Sequence, residues 1–421
     1  MQGDDRAHIE LLSPAGDFES LMAAVQSGAD AVYFGVGRLN MRVSSTKNFL
    51  PSDLPEIRRI CNEHKLKACL TLNTVVYDDD LEELKEMVRI AKENHIDAVI
   101  ASDFSVIQYT RELNIPLHIS TQANISNFEA LKFFAEYGDV VVLARELSLD
   151  QVREICEQAR SAGLHGPSGK PLRIEAFIHG ALCMSISGKC YLSLHEMNKS
   201  ANRGECMQLC RRAYILTEKD DGYQIDVDNE YLMSPKDLCT IRFIDKILEA
   251  GVRVLKIEGR GRSPEYVKLV TASYREAIDD WKNGLVSPDK LERLENKLRS
   301  VYNRGFWEGY YMGKKTGEWS DRYGSSATRR KVYIGKSLNY FQHVGVAEFR
   351  IETGMLEIGD EIMIIGPTSG VIEEKVREIR VDDGPVTKAE KGVNCSIPVG
   401  STVRRSDKLY KWIQATDEGT S

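Results

Sequence analysis

Five of the nine cysteines, Cys183, Cys190, Cys206, Cys210 and Cys239, fall in one short stretch of the 421-residue chain, far denser than an even spread would place them. Thiolates are soft ligands, and four of them close a tetrahedral zinc site or hold the corners of an iron–sulfur cluster. Structural zinc commonly uses two short C-x2-4-C knuckles. This stretch has one short pair, Cys206-x3-Cys210, and a six-residue gap between Cys183 and Cys190. The spacing favours a cluster, with zinc and buried or redox-active thiols as the alternatives. Cys61, Cys69, Cys156 and Cys395 lie in helix-like or strand-like contexts and read as small apolar core residues.

A second set of chemically capable residues falls at the ends of β-rich runs: Asn73, Ser120 to Gln122 with Asn124, Arg145 with Glu146, Glu175, His179, Glu258 and Arg260. If those runs are the strands of a parallel barrel, these side chains converge on one mouth. There arginine grips a carboxylate or phosphate, and an amide reads a base edge. Glu175, His179, Glu258 and Arg260 are the catalytic candidates; Asn73, Gln122, Asn124, Arg145, Arg203 and Arg211 are the substrate-binding candidates. Turn and cap roles are the plain alternative. Near the cysteines, Lys189, Lys199, Arg203, Arg211, Arg212, Lys256, Arg260 and Arg262 interleave with Tyr191 and Tyr214. Such a surface suits a structured RNA loop, whose phosphates want cations and whose splayed bases want stacking partners; solvated loop charge is the alternative. Peptide hydrolysis finds little support, because neither H-E-x-x-H nor G-x-S-x-G occurs and His195-Glu196 lacks the second histidine. A cysteine nucleophile paired with His179 or His195 would use thiols better suited as ligands.

The elements that must position these residues follow from periodicity. Strand-like runs at Ile9–Leu12, Ala31–Gly35, Ala68–Asn73, Ala98–Ala101, Leu117–Thr121, Val140–Ala144, Leu172–Ile178 and Val252–Ile257 alternate with amphipathic helical stretches. Asp80 and Ser148 stand where helix caps belong. Eight such units predict an α/β fold, a TIM-like (β/α) barrel over residues 1–284, with a cysteine-rich insertion at 179–250 after the seventh strand. Residues 285–330 read as a helical, Gly- and aromatic-rich connector. Short runs between Gly and Asp turns predict a small β-barrel over 331–415. A length of 421 residues fits two or three domains at about 150 residues each. With 42% hydrophobic and 28% charged residues and a net charge of −7, the chain has an ordinary globular composition. Nonspecific DNA coating is disfavoured, and no run suits a signal peptide or a membrane span. These features predict a cytoplasmic enzyme, for which structural disulfides are a poor account of the thiols.

The run Glu175-Ala-Phe-Ile-His-Gly-Ala-Leu-Cys183, with Ser187-Gly-Lys-Cys190 and Leu192-Ser193, resembles the signature of the collagenase-like peptidase family U-32. Leu12-Ser-Pro-Ala-Gly16, Gly28-Ala-Asp-Ala-Val-Tyr-Phe-Gly35, Asn202-Arg-Gly-Glu-Cys206 with Cys210-Arg211, and Met233-Ser-Pro-Lys-Asp-Leu-Cys239 match the same pattern, so the resemblance spans most of residues 8–280. Leu356-Glu-Ile-Gly-Asp360 and Gly366-Pro-Thr368 resemble the family's carboxy-terminal β-barrel, itself similar to barrels of translation factors. This layout looks most like the tRNA hydroxylation branch. The resemblance implies oxygen-independent, prephenate-dependent conversion of wobble uridine to 5-hydroxyuridine, with the tRNA anticodon loop as partner. It implies a 4Fe-4S cluster on Cys183, Cys190, Cys206 and Cys239, with Cys210 as the competing fourth ligand, and prephenate as co-substrate. It leaves a partner protein or a homo-oligomer open. The competing functions are a collagenase-like peptidase and an RNA-binding factor with a structural metal.

Overall fold

The computed structural model describes residues 9–44, 46–222, 224–225, 231, 233–313, 318–322, 324–382 and 384–415. The polar amino-terminal stretch through residue 8 lies outside them. All eight expected runs become short parallel strands: β1 Glu10–Pro14, β2 Ala31–Gly35, β3 Lys67–Leu72, β4 Ala98–Ala101, β5 Leu117–Ile119, β6 Val140–Val142, β7 Arg173–Gly180 and β8 Val254–Ile257. Each pairs with the next, and β8 returns to β1 with Leu11 opposite Leu255, closing the sheet into a barrel.

Helices α1 Phe18–Gln26, α2 Leu54–Glu63, α3 Leu81–Glu93, α4 Phe104–Glu112, α5 Phe128–Ala135 and α6 Leu149–Ser161 separate the first seven strands. In α3, Leu84, Met87, Val88 and Ala91 are buried at helical spacing, the stripe a helix needs to pack on a sheet. Ser148 caps α6 as expected, its hydroxyl accepting from the Gln151 N–H at 3.3 Å. Asp80 stands at the N-cap of α3 but makes no bond to that helix; two arginines take its carboxylate instead.

The barrel interior departs from the apolar filling usual in such folds. Leu12, Ala31, Tyr33, Cys69, Ala98, Ile100, Val140 and Val254 pack there. On the same alternation of strand faces lie Glu10, His118, Glu175 and Lys256, all buried. Lys67 and Arg173 reach Glu10 at 2.6 and 2.8 Å. Burial alone would raise the Glu10 pKa, but Arg173, Lys67 and His118 outweigh it and hold the carboxyl at about 2. The unfolded chain therefore binds more protons than the folded one between that value and about 4.3. The stabilisation is complete above about pH 5 and is lost as pH falls toward the folded value. Glu10→Gln is expected to cost about 2–3 kcal/mol at neutral pH, with the difference from wild type shrinking toward zero in urea unfolding at the acid end.

Residues 329–414 carry an eight-stranded antiparallel sheet whose longest strand is Arg329–Phe341. It encloses its own core around Phe349, Ile351, Ile364 and Leu409, while Met363, Ile365 and Val371 join the core of the barrel. Gln26 of α1 fixes the junction, donating to the Ser369 carbonyl at 2.7 Å and accepting from the Val371 N–H at 3.0 Å. Lys268 donates to the Val371 carbonyl at 2.8 Å. Among the described residues no helix is long and apolar enough to cross a membrane.

Candidate active site at the barrel mouth

The carboxyl ends of the strands open into a cavity of about 520 Å³, the face where barrels of this kind place their chemistry. Tyr33, Thr71, Asn73, Ser120, Gln122, Arg145, Phe177, Lys256, Glu258 and Arg260 form the barrel side of its wall. The insertion after β7 forms the other side, bringing Cys183, Cys190, Cys206 and Cys210 onto the same cavity.

On the barrel side the polar groups are held in fixed places. The Gln122 amide donates to the Asn73 carbonyl at 3.3 Å, and the Asn73 side chain accepts from the Met41 N–H at 3.3 Å. Arg42, from the loop after β2, pairs with Glu258 at 2.5 Å. Burial alone would raise the Glu258 pKa, but Arg42, Arg145 and Arg260 hold it at about 2, so the carboxylate stays ionised. Lys256 pairs with Glu175 beneath the cavity floor at 2.7 Å. One Nη of Arg260 donates to the Asn40 side-chain oxygen and the Thr71 hydroxyl at 3.1 and 2.6 Å. Arg145 lies 4.3 Å over the Phe177 ring and gives one N–H to the Ala181 carbonyl at 2.9 Å, while its Nε is buried without a protein partner. Burial lowers the pKa of Arg145, and that of Arg260 to about 10; both remain cations at neutral pH.

The cysteine side is fastened through Arg203 and Gly204. Arg203 makes a bidentate contact to Asp80 at 2.5 and 3.1 Å and stacks 4.1 Å from the Tyr77 ring. Arg38 shares the same carboxylate at 2.7 Å, and Arg203 above all holds the Asp80 pKa well below the usual range. Gly204 has a φ of +84°, and a Cβ there would come within 2.4 Å of the Asn40 carbonyl oxygen. The backbone leading to Cys206 thus packs directly on the loop after β2. Arg203→Ala is expected to cost about 1–3 kcal/mol, because Asp80 stays buried with one partner fewer. A lowered urea midpoint with an unchanged slope would show it.

Cys183, Cys190, Cys206 and Cys210 put four soft donors on one cavity, a set of the kind that holds zinc or an iron–sulfur cluster. Among the described residues no three His, Cys, Asp or Glu side chains come close enough to share one metal. Burial raises the Cys210 pKa, Arg211 lowers it, and Cys183, Cys206 and Cys190 raise it further, so Cys210 lies within reach of the other three. Cys239 does not join them. It sits on Asp237–Cys239, a short strand antiparallel to the end of β7, buried with its sulfur 3.9 Å from the Tyr274 hydroxyl, and burial pushes its thiol up to about 12.

Several other expected site residues also lie off the cavity. His179 is packed among Tyr266, Tyr274 and Phe306, and burial together with Arg262 drops its pKa to about 3. It faces the side of the β7 strand away from the barrel interior, so it is a neutral core residue. Glu175 lies one layer below the mouth, committed to Lys256 and 3.4 Å from His118. Asn124 is a turn residue at φ +52°, and Arg203 belongs to the Asp80 clamp. Arg211 lines the cavity, but its donors go to backbone and a serine. Asn73, Gln122, Arg145, Glu258 and Arg260 do line it. Sequence reasoning missed Tyr33, Arg42, Thr71 and Arg304. Tyr33 and Thr71 carried a usable signal, as alternate residues near the ends of strands; Arg42 and Arg304 sit in irregular segments that carried none.

Residues 16–321 match the sequence profile of Peptidase family U32. The chain belongs to this family. Within it, the U32 chain is 54% identical over 403 residues to a protein named collagenase from Porphyromonas gingivalis, covering 96% of this chain and 97% of that one. It is 32% identical over 387 residues to tRNA hydroxylation protein P1 of Bacillus subtilis, covering 89% and 87%. Over 275 residues it is 39% identical to the 23S rRNA 5-hydroxycytidine synthase of Escherichia coli, covering 64% of this chain and 39% of that protein. The U32 relatives thus carry names of two chemistries, RNA hydroxylation and proteolysis.

Proposed function

We propose that this U32 protein hydroxylates RNA, converting the wobble uridine of tRNA to 5-hydroxyuridine in the cytoplasm with prephenate as co-substrate and a 4Fe-4S cluster on Cys183, Cys190, Cys206 and Cys210. The observation that carries the reading is the junction, in one cavity, of four thiols with buried arginines that, among the described residues, have no carboxylate within ion-pair distance. Relatives named for tRNA and rRNA hydroxylation support it. Carbon 5 of uridine is not acidic and bears no leaving group, so acid–base catalysis alone does not suffice. Bound on the four thiolates, the cluster would supply electron transfer.

The chain's own residues do the rest. Asn73 and Gln122 present amides that can read a uracil edge. Arg145 and Arg260 offer guanidinium groups to the carboxylates of a small dianion. The Arg42–Glu258 pair fixes the wall between them, and Lys256 brings a fixed ammonium to the floor. A tRNA loop closing the mouth would exclude water from this space.

Proteolysis is the second reading, favoured by the collagenase-named relative. Against it, no histidine is among the described residues lining the cavity, so none of its cysteines or serines has an imidazole base there. The deciding experiment is mass spectrometry of tRNA nucleosides from cells lacking the protein and from cells complemented with it. Loss of 5-hydroxyuridine, restored by the wild type and not by Cys183→Ser, is expected. Unchanged 5-hydroxyuridine, with gelatin turnover by the purified protein, would overturn the reading in favour of the peptidase.

A further inference from the structure

Arg211 follows Cys210 in sequence and spends its guanidinium on three other segments. One Nη donates to the carbonyl of Leu182, the residue before Cys183, at 2.5 Å. The other donates to the Pro235 carbonyl at 2.6 Å and the Ser234 hydroxyl at 3.1 Å. One planar fork therefore ties the Cys183 loop, the Cys210 turn and the return segment before residue 237 into a single unit. A lysine, with one nitrogen at the end of a flexible stem, could not reach all three at this geometry.

The charge of Arg211 is as informative as its hydrogen bonds. Among the described residues no carboxylate stands within ion-pair distance of it; the nearby Asp237 is approached at 3.4 Å by Arg304 and at 3.9 Å by Arg262. A cation buried with only neutral acceptors is strongly unfavourable unless an anion lies close by. The groups beside it able to carry negative charge are Asp237, which Arg304 and Arg262 also approach, and the thiols of Cys210 and Cys183.

We infer that Arg211 is a positioning and potential-setting residue: its fork holds Cys183 and Cys210 at a fixed separation, and its charge favours the reduced state of the cluster they carry. This rests on the cluster reading above. Reduction adds one electron from a one-electron donor to the cluster, with no bond made or broken in the protein. A fixed positive charge in a low-dielectric wall stabilises the more negative state and raises the midpoint potential. Holding and charge are separable by substitution. Arg211→Lys keeps the charge and loses the fork; Arg211→Gln loses both. Arg212, exposed and next in sequence, serves as the control for charge at large.

The test uses anaerobically purified full-length protein, with iron and acid-labile sulfide measured first, then a dithionite titration followed by electron paramagnetic resonance, then the rate of iron loss to a chelator. Arg211→Gln is expected to shift the midpoint to more negative potential and to lose iron several-fold faster. Arg211→Lys should stay near the wild-type potential while still losing iron faster, and Arg212→Gln should change neither. Wild-type potential and wild-type iron retention in Arg211→Gln would overturn the inference. If that variant does not load, the lysine variant decides: faster iron loss at a preserved potential supports the role, and wild-type iron loss overturns it. Wild-type protein without iron and sulfide would instead remove the cluster reading itself, before any variant is compared.

Discussion

Anaerobically purified Cys210→Ser protein is expected to lose nearly all of its iron and sulfide, from about four of each to below about a tenth of that, whereas Cys239→Ser keeps both. The argument is positional. Cys210 shares the cavity with Cys183, Cys190 and Cys206, while Cys239 is buried beside Tyr274 on the far side of the β7 end. Cys239, buried against Tyr274 and off the cavity, behaves as a small apolar residue. Its substitution acts on packing, at about 1–2 kcal/mol for a hydroxyl placed in that site, and a lowered unfolding midpoint with full iron content would record it. The opposite pattern, iron lost with Cys239 and kept without Cys210, would require the segment before β8 to turn its sulfur outward, and would return the ligand set to the one the family resemblance implies.

The contrast between these two cysteines shows what the sequence can and cannot say. Strand positions were legible because each barrel strand is a short run rich in apolar residues that alternates with amphipathic helices, and the two periods are written in the chain itself. The mouth was legible in part for the same reason: a residue just past a strand end, such as Asn73, Gln122, Arg145, Glu258 or Arg260, has its place set by the strand. Spacing along the chain does not reveal that the insertion ends in a strand antiparallel to β7 with Leu238 opposite Gly180, which places Cys239 beside Tyr274 and off the cavity. His179 misled for a related reason. It alternates with Ile178 at the end of β7, where the register with β8 shifts between Lys256 and Ile257, and simple alternation no longer predicts the face. Arg203 and Asp80 were each assigned a plausible local role, in substrate binding and in helix capping. Their real partner was the other, 123 residues away, and no local pattern encodes such a pair.

Arg145→Gln is expected to weaken binding of a small dianion about 30- to 300-fold, equivalent to about 2–3 kcal/mol. In the cavity wall Arg42 is neutralised by Glu258 and Lys256 by Glu175, while Arg262 and Arg304 lie beside Asp237. Arg145, Arg211 and Arg260 have no carboxylate within ion-pair distance among the described residues. Arg145 and Arg260 help hold the Glu258 carboxylate ionised from beyond ion-pair distance, and with Arg42 and Lys256 they leave the barrel side of the cavity more positive than negative for an anionic ligand. Of Arg145 and Arg260, Arg145 has the buried Nε without a partner, and its ring contact with Phe177 fixes the plane of the guanidinium. A carboxylate reaching the guanidinium gains a charge-assisted bond in a partly enclosed site. Titration calorimetry with prephenate, and with phenylpyruvate as the comparison carrying one carboxylate fewer, measures both halves of the argument. Wild-type protein should prefer the dianion, and Arg145→Gln should lose most of that preference while keeping its unfolding midpoint within about 1 kcal/mol of wild type, since the arginine's one protein hydrogen bond is modest. Equal affinity for the two acids in the wild type would mean that the unpaired charge serves the phosphates of RNA instead, and the same variant would then show its loss in tRNA binding with a reduced dependence on salt.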